Sequence, residues 1–249
     1  MRSARAVVLG ALASGVVVGL VMAPATAYAG VIGDWQMDEE AGATQMLDRS
    51  GTGFHGTIGP DVVLHEATPD GGWGYRFKGD WWIVNQGRLV LWDDDQNGDT
   101  SALDPGTEPY AVTIRLKTGA RDPNIIQKGQ YGQTGGFWKF ALKKGWPRCH
   151  FQDENGKRKA IGFVNDSRPE AMIADGEWHT LRCERLANGV KMTIDYGEPT
   201  EISKWIRGTV GRIDNTRPMT LGGKVDCDYV NVTCDYFAGA VDWVILEKG

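Results

Sequence analysis

Positive charge is the first thing this chain has little of. Among its 249 residues, 27 Lys and Arg face 32 Asp and Glu, a net charge of −5. Proteins that hold polyanions cluster Lys and Arg on one face, so the balance argues against nucleic acid as a partner. Helical periodicity is missing as well. Nowhere do apolar residues recur at helical spacing over three turns, and only residues 169–174 offer a turn or two. Histidine is scarce, with His55, His65, His150 and His179 the full set. No H-E-x-x-H string and no nucleophile motif accompanies them, which leaves metalloprotease and triad-hydrolase chemistry without support. C-x-x-C pairs are absent, which argues against structural zinc. Past residue 29 no apolar run reaches the length needed to span a bilayer. Proline is sparse, 10 against 34 Gly, and 41% of residues are hydrophobic, so the chain is neither collagenous nor disordered.

What is present begins with an export pattern. Arg2 and Arg5 precede an apolar run over residues 6–22, and Ala27-Tyr28-Ala29 supplies small residues for cleavage after Ala29. A membrane anchor is the alternative, because that run is close to spanning length. The expectation is a secretory signal at residues 1–29 and one mature domain at 30–249, secreted, extracellular and free of the membrane. Cys149, Cys183, Cys227 and Cys234 then form an even set in an oxidising compartment, with three possible pairings. Only residues 228–233 separate Cys227 from Cys234, which favours a local clip and leaves Cys149 to Cys183.

Alternation with period two runs through the mature part. Val112, Ile114 and Leu116 oppose Thr113, Arg115 and Lys117, and Leu181 and Cys183 oppose Arg182 and Glu184. Val190, Met192 and Ile194 oppose Lys191, Thr193 and Asp195 in the same way. Further strands are expected at 32–37, 73–78, 81–85, 88–92, 124–128, 137–142, 148–153, 218–221 and 237–246, punctuated by Gly-, Asn- and Asp-rich turns. So many short strands with no linker imply one all-β domain, a two-sheet antiparallel sandwich or a barrel.

Five pieces in order carry a resemblance. "GDWQMDEEAGATQMLDRSGTGFHGTIG", "IIQKGQY", "DGEWHTLRCERLANGVKMTIDYG", and "LGG" followed by "FAGAVDWVIL" resemble the laminin G-like domains of the concanavalin A-like lectin and glucanase superfamily, in their secreted actinobacterial form. The resemblance implies a jelly-roll sandwich with a sugar-binding concave face and, in many relatives, a structural calcium. Two departures stand out: a longer turn at Asp195-Tyr196-Gly197 and an acidic insertion at 93–104.

That insertion places Asp93, Asp95, Asn97, Asp99 and Asp104 at the oxygen-donor positions of a twelve-residue calcium loop, with Gly98 where the chain must turn. Its last donor is the short Asp and its flanks are not helical, so a solvated acidic loop is the competing reading. The resemblance adds a second calcium candidate, Asp242 together with Asp34 or Asp48. Of the ten tryptophans, Trp35, Trp178 and Trp243 fall in family-like core segments. Trp81, Trp82, Trp138 and Trp146, beside Arg115, Lys128 and Tyr131, are the candidates for a sugar-stacking platform, since pyranose C–H faces lie flat on aromatic rings. The alternative is that these rings cover the sandwich ends. Glucanases of the superfamily carry Glu-x-Asp-x-x-Glu on a concave strand, and this chain has no such string. The expectation is therefore a monomeric, non-catalytic module that binds a glycan, with calcium as candidate ion. A protein-interaction module stands as the alternative, as does a glycosidase or lyase with two carboxyls or a Tyr-His-Arg cluster in a cleft.

Overall fold

The computed structural model describes residues 30–79, 89–92, 101–225 and 235–249. The signal segment, Trp81, Trp82, Asp93, Asp95, Asn97, Asp99, Cys227 and Cys234 lie outside the described residues. In chain order the strands are β1 (Gly30–Trp35), β2 (Gln45–Met46), β3 (Gly56–Ile58), β4 (Val63–Ala67), β5 (Trp73–Phe77), β6 (Val90–Trp92), β7 (Tyr110–Thr118), β8 (Asn124–Lys128), β9 (Phe137–Lys143), β10 (Trp146–Gln152), β11 (Arg158–Gly162), β12 (Trp178–Arg185), β13 (Gly189–Ile194), β14 (Ile202–Arg207), β15 (Met219–Leu221) and β16 (Gly239–Lys248). Short 3₁₀ turns at Ser101–Leu103 and Pro169–Ala171 are the helical pieces among the described residues.

The strands form two antiparallel sheets in a jelly-roll sandwich. The first runs β14-β13-β12-β7-β16-β5-β4, with β1 also on β16, and the second runs β11-β10-β9-β8-β15-β6-β3-β2. Strand β16 serves two neighbours on one edge in succession. Its Gly239–Val241 part pairs with β5, and the part from Val244 to Lys248 pairs with β1. The register slips at Asp242, between Val241 and Trp243, where the bulge lets the edge change partner.

Alternation decides what enters the core. Val112, Ile114 and Leu116 of β7 meet Phe140, Cys149 and Phe151 of the second sheet in one buried cluster, and Trp35 meets Trp92 edge-on at 4.8 Å. The Cys149–Cys183 disulfide joins β10 to β12, one strand from each sheet, with Cα atoms 5.9 Å apart. Several strands escape the sequence pattern, β4, β11 and β14 among them. Each is a sheet edge, with no more than one fully buried residue. Edge strands bury one flank at most, so selection for alternating apolar residues is weak there.

Candidate functional site

The residues between the buried ones on the first sheet point outward, and pairing aligns them in rows. Trp243, Arg115 and Thr180 lie side by side across β16, β7 and β12, and Ile245, Thr113 and Arg182 form the next row. A groove of about 540 Å³ opens over these rows, with Val31 and Glu247 at one end and Tyr196 and Glu198 on its flank. Tyr196 is 40% exposed.

Fixed charges frame the rings. The Arg182 guanidinium stacks on Tyr196 at 4.9 Å, donates to Thr113 Oγ1 at 2.7 Å, and ion-pairs with Glu247. Burial alone would weaken its charge, but the hydrogen bond to Glu247 and the nearby Glu184 and Glu247 carboxylates hold its pKa above the ordinary arginine value. Arg115 donates to Asp242 Oδ2 at 2.8 Å and lies 3.4 Å from Asp70. Burial raises the Asp242 carboxyl against the pull of Arg115. Arg115 and Lys117 both sit over the Trp178 ring, at 5.8 and 5.2 Å. The groove thus carries two rings, Trp243 and Tyr196, with guanidinium and carboxylate groups already locked in place beside them, able to stack on an apolar face and to bond hydroxyls around it, while Trp178 lies outside its lining.

His179 secures one wall. Its Nδ1 is 2.8 Å from Asp195 and its Nε2 3.3 Å from Asp175. Burial would lower the imidazole, but the hydrogen bond and charge of Asp195, then Asp175, raise it above 6.5. Asp195 adopts a left-handed φ of 53° and leads into Tyr196, whose N–H donates to Thr180 O at 3.0 Å. The clamp thus fixes the turn that presents Tyr196. A raised folded-state pKa stabilises fully below the unfolded value and is lost as pH climbs through the folded one. The urea midpoint is expected to fall as pH rises from the ordinary imidazole value through the raised one, and His179→Gln to remove that part of the slope, read by denaturation across pH.

The family model for the laminin G domain matches residues 116–246, just over half of the chain. The chain belongs to the laminin G domain family. No curated protein matches it. Among solved structures, the binding domain of Paraclostridial Mosquitocidal Protein 1 superposes with a TM-score of 0.56 at 14% identity, covering 88% of this chain and 48% of that one. The botulinum neurotoxin serotype G binding domain gives 0.58 at 13%, covering 88% and 47%. The botulinum neurotoxin serotype D ligand binding domain in complex with N-acetylneuraminic acid gives 0.54 at 14%, covering 88% and 47%. This laminin G domain spans about half the length of those chains, and at such identity the likeness is one of fold.

The structure sorts the sequence candidates unevenly. Arg115 lines the groove. Lys128 does not reach a surface: it is fully buried, with Nζ 2.8 Å from Asp104 and 2.7 Å from Asn215 O. Its place follows from parity, since Lys128 lies opposite the core residue Trp138. Trp138 is likewise internal, 5.5 Å from Tyr110. Trp146 is partly buried against the core with Nε1 sealed from solvent. Tyr131 is 72% exposed in the β8–β9 connection and is not among the groove residues. Trp178 and Trp243, expected in the core, instead face outward. Trp178 lies opposite Lys117, and the bulge at Asp242 sends Trp243 to the side of Arg115. Tyr196, Arg182 and Glu247 were not singled out by sequence, although the alternation of β12 already turns Arg182 away from the core.

The calcium candidates that fall on described residues do not fit a metal. Asp104 is committed to Lys128 and to the backbone and side-chain nitrogens of Asn215, both at 3.2 Å. Asp242 holds Arg115, and Asp34 accepts from Gln36. Asp48 accepts from the backbone N–H groups of Asp34, Ser50 and Gly53 and from the hydroxyls of Ser50 and Thr52. Burial would raise the Asp48 carboxyl, but those hydrogen bonds bring it below its ordinary value. Among the described residues no three or more His, Cys, Asp or Glu side chains gather as a metal site.

Proposed function

We propose that this laminin G domain is a secreted, extracellular, non-catalytic module that takes a carbohydrate in the groove on the outer face of the first sheet. The observation that carries the reading is Tyr196 and Trp243 lining one groove with Arg115, Arg182, Glu198 and Glu247. Aromatic rings supply the stacking surface, and the locked polar groups select hydroxyl positions without the entropic cost of being ordered on binding. The disulfide agrees with an oxidising compartment. Calcium is proposed for the loop at Asp93, Asp95, Asn97 and Asp99 without Asp104.

A glycan array read with and without chelator tests sugar binding and ion dependence together. For a glycan so identified, Tyr196→Ala is expected to weaken binding at least about tenfold, roughly 1.4 kcal/mol, by calorimetry. Undiminished binding by that variant would refute the groove as the site. A second reading, an extracellular protein partner, rests on Val31, Trp73 and Trp205, each 46 to 47% exposed.

A further inference from the structure

The charges that line the groove are unevenly committed. Arg115 is held by two carboxylates, Asp242 at 2.8 Å and Asp70 at 3.4 Å. Arg182 is held by two more, Glu247 and Glu184, the latter 3.2 Å from Nε. Glu184 in turn lies 3.9 Å from Lys191. Together the lining residues and their ion-pair partners comprise the carboxylates of Asp70, Asp242, Glu184, Glu198 and Glu247 against the cations Arg115, Arg182 and Lys191. The groove is therefore anionic, and each of its guanidinium groups is already answered from within the protein.

Glu198 supplies the part of that surplus which a ligand can reach. It is exposed, and its carboxylate has no hydrogen bond or ion pair among the described residues. The other acids of the same turn are occupied. Asp195 holds His179 at 2.8 Å and accepts from the Thr200 hydroxyl at 3.3 Å, and Glu201 accepts from the Gly197 N–H at 3.0 Å. The backbone of Glu198 is fixed at both ends, its N–H donating to Asp195 O at 2.9 Å and its carbonyl accepting from the Glu201 N–H at 3.0 Å. A lone surface glutamate is ordinarily only hydrated. This one stands on an ordered turn and on the wall of a groove of about 540 Å³ that it shares with the rings of Tyr196 and Trp243.

We infer that the groove selects an amino sugar whose nitrogen is not acetylated, with its ammonium held by Glu198 and its ring faces by Tyr196 and Trp243. This rests on the reading of the groove as a carbohydrate site. An ammonium meets the unpaired carboxylate in a charge-assisted hydrogen bond, and aromatic faces attract the same cation. Tyr196 already carries one cation, Arg182 at 4.9 Å, whose own charge Glu247 and Glu184 offset. Row by row, Trp243 on β16 and Thr180 on β12 are two strand spacings apart, roughly 10 Å, and the Tyr196 N–H donates to Thr180 O. That span lets a short oligomer lie between the two rings. Acetylation removes the charge and would leave Glu198 covered without a partner, and a uronate would bring a like charge against it.

Calorimetric titration of the full chain at low ionic strength and about pH 6, so that the amine is protonated, tests the assignment with three probes: a 1,4-linked glucosamine hexamer, its fully N-acetylated counterpart and a lysine hexamer. The amine hexamer is expected to bind at least about tenfold more tightly than the acetylated one. Glu198→Gln should bring the two sugars within about twofold of each other, and Tyr196→Ala should weaken the amine hexamer at least about tenfold. Glu154→Gln, an exposed acid between β10 and β11, should leave the preference intact. Equal affinity for the two sugars, a preference that survives Glu198→Gln, or an equal loss in Glu154→Gln would overturn the amino-sugar assignment while leaving the groove as a sugar site. A lysine hexamer that binds as tightly as the amino sugar would overturn it in favour of a cationic peptide. Binding of neither sugar, or indifference of both to Tyr196→Ala, would end the carbohydrate reading of the groove itself.

Discussion

Replacing Lys128 by Ala is expected to destabilise the fold by about 3–5 kcal/mol, the usual consequence of leaving one member of a buried ion pair alone. Lys128 is 0% exposed, and its ammonium meets Asp104 Oδ2 at 2.8 Å and Asn215 O at 2.7 Å. Asn215 in turn donates from Nδ2 to Gly136 O at 3.2 Å, so one node ties the segment leading into β7, the end of β8 and the approaches to β9 and β15. Burial already pushes the Asp104 carboxyl up to about 6 against the pull of Lys128. Without the ammonium, the native state must take up a proton to keep that carboxyl inside. The loss should accordingly be greater at pH 8 than at pH 5, because a raised folded-state pKa favours the native state only where the group is protonated. The double variant Lys128→Met with Asp104→Leu should recover most of the stability, since an apolar pair of similar volume carries no desolvation cost. Urea denaturation of the three proteins measures both expectations. Equal midpoints for Lys128→Ala and the parent would show that the node contributes nothing.

The paired variant Cys149→Ala with Cys183→Ala is the second large effect. The bond links the two sheets across the core and closes a sequence separation of 34 residues. In the chain-entropy account a loop of that length stabilises by about 3.8 kcal/mol, within the general range of about 2–4. For a domain of this size that corresponds to a fall in Tm of roughly 8–15 °C. Both cysteines are at most 2% exposed, so reductant should act only as fast as the sandwich opens. Calorimetric melting of the variant pair reads the thermodynamic part. An unchanged Tm would mean that the core alone fixes the spacing of the sheets.

How much of the site was legible depended on parity. Arg115 could be placed on an outer face because β7 alternates without interruption from Val112 to Lys117. Lys128 could not be placed inside. A lysine in "IIQKG" reads as exposed unless the partner carboxylate is known, and Asp104 lies 24 residues away. The outward turn of Trp243 depends on a bulge at Asp242, where one extra residue reverses every later side chain. The acidic insertion looked like a ligand set because oxygen spacing is local, whereas the burial of Asp104 is not.

The sequence by itself determined the all-β class and the alternating faces of the central strands, because period-two patterning is a property of the chain; it only favoured Cys149 with Cys183 among three possible pairings, and the structure decided that bond. Only the tertiary structure decided which polar residues are withdrawn from water and which rings remain outside. Those outcomes follow from which strands become neighbours: His150 beside Lys139, Lys139 beside Gln127, and Arg182 beside Thr113 and near Tyr196. Hydrogen-bond register brings together side chains that are far apart along the polymer, and no local pattern encodes that meeting.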